Sequence, residues 1–445
     1  MLQNKRQRLT WLLCLTFLSR LAFALVAWKA SGTQAFLSPD SQEYISAARA
    51  LLHGNFSPGG VPELVRTPGY PLLLTMAVVF NHFVIIAVLE NIALGVITAY
   101  FIWHILEEIF PGSKVASWAI LLYCFEPSSL TYSAKVLSDQ LFCTQILLFV
   151  FLFARFLRNF QYRCLLLAAI ALGLATYTRP ISEYLGVWLI PFLIIFPRSA
   201  SLARRTAGTI IFVIAIALTL APWVARNIIV AQYPGFSSVS DISLYFYSAA
   251  AVRAKLDYKA FSDIHANEEQ LYLRDHPEQR SWSQSQRFLF QRAEAKKIIL
   301  HHLGMYFVIH FRGCVSVLFN PGGTESLNML GLNPAAVSMP SRTEQGVLQA
   351  ALSLIREYPL VGGILAILGL ELLFYYALAV FGLASFAVEM RSFFVWIVLY
   401  FVLISGAPGV VARYRLPIMP LVCISAGLGL SKVLGRLHDA TRPYF

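Results

Sequence analysis

The chain has 445 residues, 58% of them hydrophobic and only 13% charged, which leaves too little polar surface to coat the two or three soluble domains that its length would otherwise suggest. Its 35 Lys and Arg against 23 Asp and Glu give a net charge of +12, and in so apolar a chain that excess belongs to membrane topology before it belongs to nucleic acid. The six cysteines, Cys14, Cys124, Cys143, Cys164, Cys314 and Cys423, stand singly, without the close pairs of zinc sites or disulfide frameworks, and read as packing residues.

In chain order, Lys5, Arg6 and Arg8 precede the apolar run Leu9 to Trp28, which at about twenty residues, with Arg20 inside it, reads as an uncleaved signal anchor rather than a signal peptide. Further spans are expected at Phe83 to Leu106, Val115 to Phe125, Leu141 to Phe156, Cys164 to Tyr177, Tyr184 to Phe196, Ala207 to Trp223, Leu360 to Phe386, Phe393 to Ile404 and Leu416 to Leu434. The fold class is therefore an all-α polytopic membrane protein of about ten transmembrane helices (range 9–13), with amphipathic helices on the outer face and a small extracytoplasmic cap.

With the N-terminus inside, the short inner segments hold Lys5, Arg6, Arg8, Lys114, Arg155, Arg158, Arg163, Arg198, Arg204, Arg205, Arg391, Lys432, Arg436 and Arg442. The short outer loops hold only Lys29, Arg49, Arg66, Lys135, Arg179, Arg413 and Arg415. Fourteen cations against seven support this orientation, with both termini cytoplasmic. The run His301 to Phe319, interrupted by His310 and Arg312, is expected on or partway into the outer face, because counting it as a span would reverse the last three helices. Three regions follow: 1–223, a transmembrane module with a long first outer loop at 30–80; 224–358, an extracytoplasmic or interfacial region of mixed charge; and 359–445, the C-terminal transmembrane helices. The working surface is expected outside.

The first outer loop carries Ser38-Pro39-Asp40, a helix start, with Tyr44, Ala48, Leu51 and Leu52 then on one face of a short surface helix. Asp40 in its first turn either complements the helix dipole or serves as a general base at the headgroup level. Arg66-Thr-Pro-Gly-Tyr-Pro71 breaks the chain just before a run too short to span, so Arg66 is held at the membrane surface, as a snorkelling cation or as a fork for phosphate. Glu126-Pro127, Lys135 to Asp139, Thr178-Arg179-Pro180, Pro222-Trp223 to Arg226-Asn227 and Arg413-Tyr414-Arg415-Leu416-Pro417 repeat that signature of ionisable groups at membrane depth. Such charges are expensive and mark a site by default, the alternative being structural ion pairs such as Arg179 with Asp139 or Glu183. His301-His302 and Glu325 form no ligand cluster.

Taken in order from Asp40 to Pro420, these landmarks, with Arg66-Thr-Pro-Gly-Tyr70-Pro-Leu-Leu-Leu74 among them, resemble those of the GT-C membrane glycosyltransferases. The similarity is to the branch holding aminoarabinose-lipid A transferases and protein O-mannosyltransferases. That resemblance implies an inverting transferase that takes a sugar from a polyprenyl-monophosphate donor on the extracytoplasmic face and gives it to a hydroxyl of a lipid, glycan or protein. By position it implies Asp40 as the catalytic residue, Arg66 near the donor phosphate and Asp139 as the acidic residue after the third span; Arg226 and Arg413 are second candidates for the donor phosphate, and Glu126, Arg179, Tyr70, Tyr414 and Arg415 are expected in support. No His, Asp and Glu cluster stands at metal-ligand spacing and a phosphate leaving group held by arginines needs no metal, so none is expected, nor any cofactor beyond the lipid-linked substrate, nor nucleic acid; the protein is expected to be a monomer in a bacterial inner membrane. Two departures stand out: aminoarabinose transferases usually carry Lys-Pro-Pro where this chain has Arg66-Thr67-Pro68, and Asp40-Ser41 replaces the Asp-Glu of many mannosyltransferases. The rival functions are a secondary transporter or flippase of an anionic lipid, expected to show broken helices near mid-membrane in matching halves, and a polysaccharide ligase or polymerase using a diphosphate-linked donor.

Overall fold

A computed structural model describes residues 2–259, 261, 264–265, 272–332, 354–409 and 412–435. Parts of the expected outer region, including Asp263, Glu268 and Glu269, lie outside the described residues, as do Arg436 and Arg442. Among the described residues there are helices and turns but no strand.

The first half runs through α1 (Leu2–Ser31), α2 (Pro39–Leu52), α3 (Gly69–Val78), α4 (Phe83–Ile109), α5 (Val115–Phe125), α6 (Pro127–Ser133), α7 (Asp139–Asn159), α8 (Tyr162–Thr178) and α9 (Leu202–Ala231). The second half contains α10 (Gln284–His301), α11 (Leu303–Phe319), α12 (Thr324–Met329), α13 (Pro359–Leu383), α14 (Val388–Ile404) and α15 (Met419–Val433). Six stretches, over α1, α4, α7, α9, α13 and α15, are long and apolar enough to cross a membrane, and seven if α10 and α11, bent by 103° at their junction, count as one. α3, α5, α8 and the stretch from Pro180 to Ile195 are shorter apolar helices. The segment expected to span at Tyr184 to Phe196 is broken into Leu185–Trp188 and Ile190–Ile195; Pro191, in the first turn of the second piece, has no N–H with which to continue the first.

The chain is an integral membrane protein, and its surface shows why. Large apolar side chains such as Leu218, Ile229, Phe311, Leu370 and Val380 point outward, where only lipid makes their exposure favourable. The interior is aromatic: Phe153 stacks on Phe393 with ring centroids 4.4 Å apart, joining α7 to α14. α15 packs against both α5 and α13, so the C-terminal helices share one core with the N-terminal ones. Arg20, which interrupts the apolar face of α1, is fully buried, its guanidinium 4.4 Å from the ring centroid of Tyr123.

A second core cluster lies beneath the 30–80 loop. Tyr44, Ile45 and Ala48 of α2 pack with Tyr70 and Leu74 of α3, Ala24 and Ala27 of α1, and Ile92 of α4. α2 is thereby seated on the bundle rather than floating at the surface, and its N-terminus points at the start of α7. Gly69 is required at this junction, because a Cβ there would fall 2.6 Å from Thr178 Oγ1 and 2.7 Å from the Tyr177 carbonyl. That close approach locks the Arg66 turn against the end of α8, next to Arg179.

Candidate active site

The site forms where the start of α2, the turn before α3, the start of α7, the end of α8 and the 3-10 turn Ala412–Ile418 before α15 meet at one end of the bundle. Ser41 Oγ accepts the Ser38 backbone N–H at 2.9 Å and donates to the Val136 carbonyl at 2.8 Å. One turn on, the Tyr44 hydroxyl lies 2.9 Å from Ser138 Oγ. These bonds stitch α2 to the 136–138 segment, which Asn91 fixes from below by donating to the Lys135 carbonyl at 2.6 Å. Ser41, the serine that departs from the mannosyltransferase pattern, is fully buried and spends its hydroxyl on these two bonds.

Held this way, Asp40 is the centre of an alternating chain of charges. Its Oδ1 accepts from Arg66 Nη2 at 2.7 Å and its Oδ2 from Arg413 Nη1 at 2.9 Å. Arg413 turns its other edge to Asp139, Nε to Oδ2 at 2.8 Å and Nη2 to Oδ2 at 2.7 Å, and Asp139 also accepts from Arg179. At the opposite end, Arg66 Nε donates to Glu43 at 2.5 Å while its guanidinium lies 5.0 Å from the Tyr44 ring centroid. Three carboxylates and three guanidiniums thus alternate from Glu43 to Arg179, and their formal charges cancel.

Burial pushes the Asp40 carboxyl up, but the Arg66 and Arg413 guanidiniums outweigh it and hold the group below its ordinary value. Burial likewise works against the Arg66 charge, and Tyr44, Asp40 and Glu43 beside it raise it above the usual arginine range. Asp40 is therefore an ionised acceptor clamped between two cations. It lines, with Arg413, a cavity of about 660 Å³ whose other walls include Tyr132, Lys135, Asn320 and Glu325, a size suited to a small ligand.

The other expected residues divide by place. Tyr70 is buried under the site, edge-on to Tyr44 with centroids 5.1 Å apart, and Tyr414 lies 6.0 Å from the Arg179 guanidinium. Arg226 does not reach Asp40: it donates to the Glu63 carbonyl at 2.8 Å and the Phe56 carbonyl at 2.9 Å, and its guanidinium lies over Trp223. Glu63 in turn accepts the backbone N–H groups of Val65 and Arg66, both at 2.8 Å, so Arg226 shapes the loop that presents Arg66. Glu126 caps α6 through the Ser128 and Ser129 N–H groups. Arg415 closes the end of α11 by donating to the Val317, Leu318 and Asn320 carbonyls.

Two participants were not expected. Glu43 is one helical turn beyond Asp40, and that i, i+3 pairing of acids on a surface helix was a readable signal. Glu325, bonded to Lys135 across the cavity, carried none, since 190 positions separate the two. Among the described residues no three His, Cys, Asp or Glu side chains converge as a metal centre requires.

Residues 66–225 match the family of dolichyl-phosphate-mannose-protein mannosyltransferases, a stretch that holds Arg66, Asp139 and Arg179 but neither Asp40 nor Arg413. No curated protein matches the sequence. Among solved structures, the archaeal oligosaccharyltransferase AglB from Archaeoglobus fulgidus, in complex with an inhibitory peptide and a dolichol-phosphate, superposes with a TM-score of 0.51 at 14% identity, over 95% of this chain and 51% of that one. The same enzyme tethered to an acceptor peptide gives 0.51 at 13% identity, over 95% and 50%. ArnT from Cupriavidus metallidurans bound to undecaprenyl phosphate gives 0.41 at 14% identity, over 94% and 77%. This is a polytopic helical membrane protein, and its fold is similar to that of the archaeal oligosaccharyltransferase. It spans about half the length of the oligosaccharyltransferase it matches.

Proposed function

We propose that the protein is an inverting glycosyltransferase that moves a sugar from a polyprenyl-monophosphate donor to a hydroxyl-bearing acceptor on the extracytoplasmic face of the membrane. The observation that carries this reading is Asp40, ionised at the cavity wall between two guanidiniums. A base for the acceptor hydroxyl and cations for the leaving phosphate are the two parts that such a transfer needs.

Asp40 takes the acceptor proton as the hydroxyl oxygen attacks the anomeric carbon, and the bond to the phosphate oxygen breaks on the opposite face. Arg66 and Arg413 stabilise the phosphate monoester as its charge grows. Donor binding also tunes the base: a phosphate on the two guanidiniums draws their charge away from Asp40, so the upward push of burial is less opposed and the carboxylate becomes a stronger acceptor. Asp139 and Arg179 position Arg413, and Arg226 positions Arg66 through the 56–66 loop. The carboxylates of the ionic chain are each already paired with arginine, which supports charge neutralisation by guanidinium rather than by metal. The family match and the dolichol-phosphate named with the oligosaccharyltransferase favour a lipid-phosphate donor, and the excess of cations on the inner loops favours cytoplasmic termini, as in a bacterial inner membrane. The clustering of charge at one end of the bundle disfavours a transporter, whose site would lie near mid-membrane.

The test is transfer itself. Purified protein in proteoliposomes, given a β-linked polyprenyl-phosphate sugar and a mixture of lipid and glycan acceptors, is expected to yield an α-linked product by NMR. Net retention of configuration would contradict the single-displacement reading.

A further inference from the structure

The cavity beside Asp40 holds a second charged pair that the transfer step leaves unused. Lys135, only 3% exposed, sits on the turn between α6 and α7, and its Nζ donates to the Leu37 carbonyl at 3.2 Å and to the Glu325 carboxylate. Its own carbonyl is taken by Asn91, so the lysine is anchored at both ends. Glu325 comes from the facing wall, in the first turn of α12, and its side chain remains 37% exposed. The turn that delivers it depends on glycine: Gly322 and Gly323 have φ of +75° and +87°, and a Cβ on Gly323 would fall 2.5 Å from Leu368. The remaining polar wall is neutral, with Ser31, Gln34, Thr131 and Asn328.

We propose that Lys135 and Glu325 read the charge of the donor sugar and select an uncharged one. This rests on the transferase reading in one respect, that the cavity takes the sugar on which Asp40 acts. A sugar hydroxyl both donates and accepts, so neighbouring hydroxyls bridge the carboxylate and the ammonium without separating them. A uronic acid has to compete with Glu325 for one ammonium, leaving two carboxylates on a single lysine. An amino sugar is drawn to Glu325 and set against Lys135. Away from bulk water these like-charge contacts are costly. The other charges on the cavity wall offer no relief, because Asp40 is held by Arg66 and Arg413, and Arg413 is also held by Asp139.

The experiment uses short-chain polyprenyl phosphates carrying glucose, glucuronate or 6-amino-6-deoxyglucose, a series with the charge on one carbon. Each competes with fluorescent polyprenyl phosphate for the purified full chain, so binding is read without transfer. The glucose donor is expected to bind at least about tenfold more tightly than either charged one. Glu325→Gln leaves the lysine charge unanswered and is expected to bring the glucuronate donor level with glucose; Lys135→Gln is expected to do the same for the amino sugar. Opposite shifts from two variants are not produced by a general loss of folding. Equal affinities in the wild type, both variants moving all three donors alike, or no competition from any of them would overturn the assignment. Neutral selection without transfer would leave it standing and remove the transferase reading; transfer without selection would do the reverse.

Discussion

Arg413 Nη1 lies 2.9 Å from Asp40 Oδ2 across 373 positions of sequence. The arginine belongs to the turn before the last described helix and the aspartate to α2, so the site is complete only when the two ends of the fold have closed on each other. Arg413 also holds Asp139, and the pair at Asp40 therefore inherits its geometry from a carboxylate buried in the bundle.

Arg66→Ala is expected to weaken binding of polyprenyl phosphate and to slow transfer together, because the cation contacts phosphate in ground and transition states alike. Arg66→Lys is expected to recover only part of the loss, since an ammonium cannot reach Asp40 and Glu43 as the guanidinium fork does. Competition binding and initial rates on the two variants check this, and unchanged donor affinity in Arg66→Ala would reassign Arg66 to headgroup contact.

Asp139 is 1% exposed and answers two arginines. Asp139→Ala removes the acid that Arg179 and Arg413 share and is expected to cost about 3–5 kcal/mol of stability, seen as a large fall in Tm in detergent. Asp40→Asn, at the partly open cavity wall where water screens its pairs, is expected to lower Tm much less. Comparable falls for both would make Asp40 another structural partner.

The depressed pKa of Asp40 has a definite sign. Its charge, and the stability its two bonds bring, are complete above the ordinary carboxylate range and are lost only as pH falls through the lower folded value. The free-enzyme profile of kcat/KM is thus expected to show no loss from Asp40 between about pH 8 and about pH 5, and in Arg66→Ala the acid limb is expected to move up. A wild-type limb near neutrality that Asp40→Asn abolishes would contradict the pairing.

Sidedness is open to thiol labelling in a variant lacking the six cysteines. Tyr258→Cys, at a position 98% exposed, is expected to react with an impermeant maleimide added from outside, and Lys114→Cys, at the turn between α4 and α5, only after the inner face is opened. The reverse pattern would turn the site toward the cytoplasm.

Much of the architecture was legible because lipid imposes a one-dimensional signal. A long apolar run must be helical in a membrane, and Val115–Phe125 emerges with the ends that its composition suggests. Where proline interrupts, as at Pro191, the run reads as a span but folds as two pieces. The site was legible as a set of motifs and opaque as a geometry. Arg226, near the C-terminal end of α9, and Arg413, in the turn before α15, are both arginines next to an apolar run, and only packing sends one to the carbonyls of the 56–63 loop and the other to Asp40. Lys135 and Glu325 meet through a glycine turn that has no periodicity to betray it.

The most direct test of the general-base assignment is Asp40→Asn in purified protein, with donor binding and transfer measured on the same preparation. The amide keeps the shape of the carboxylate and cannot take a proton, so donor affinity is expected to hold within a few-fold while turnover falls at least about a hundredfold. Turnover above about a tenth of the wild type, with the protein folded and the donor bound, would show that Asp40 is not the base.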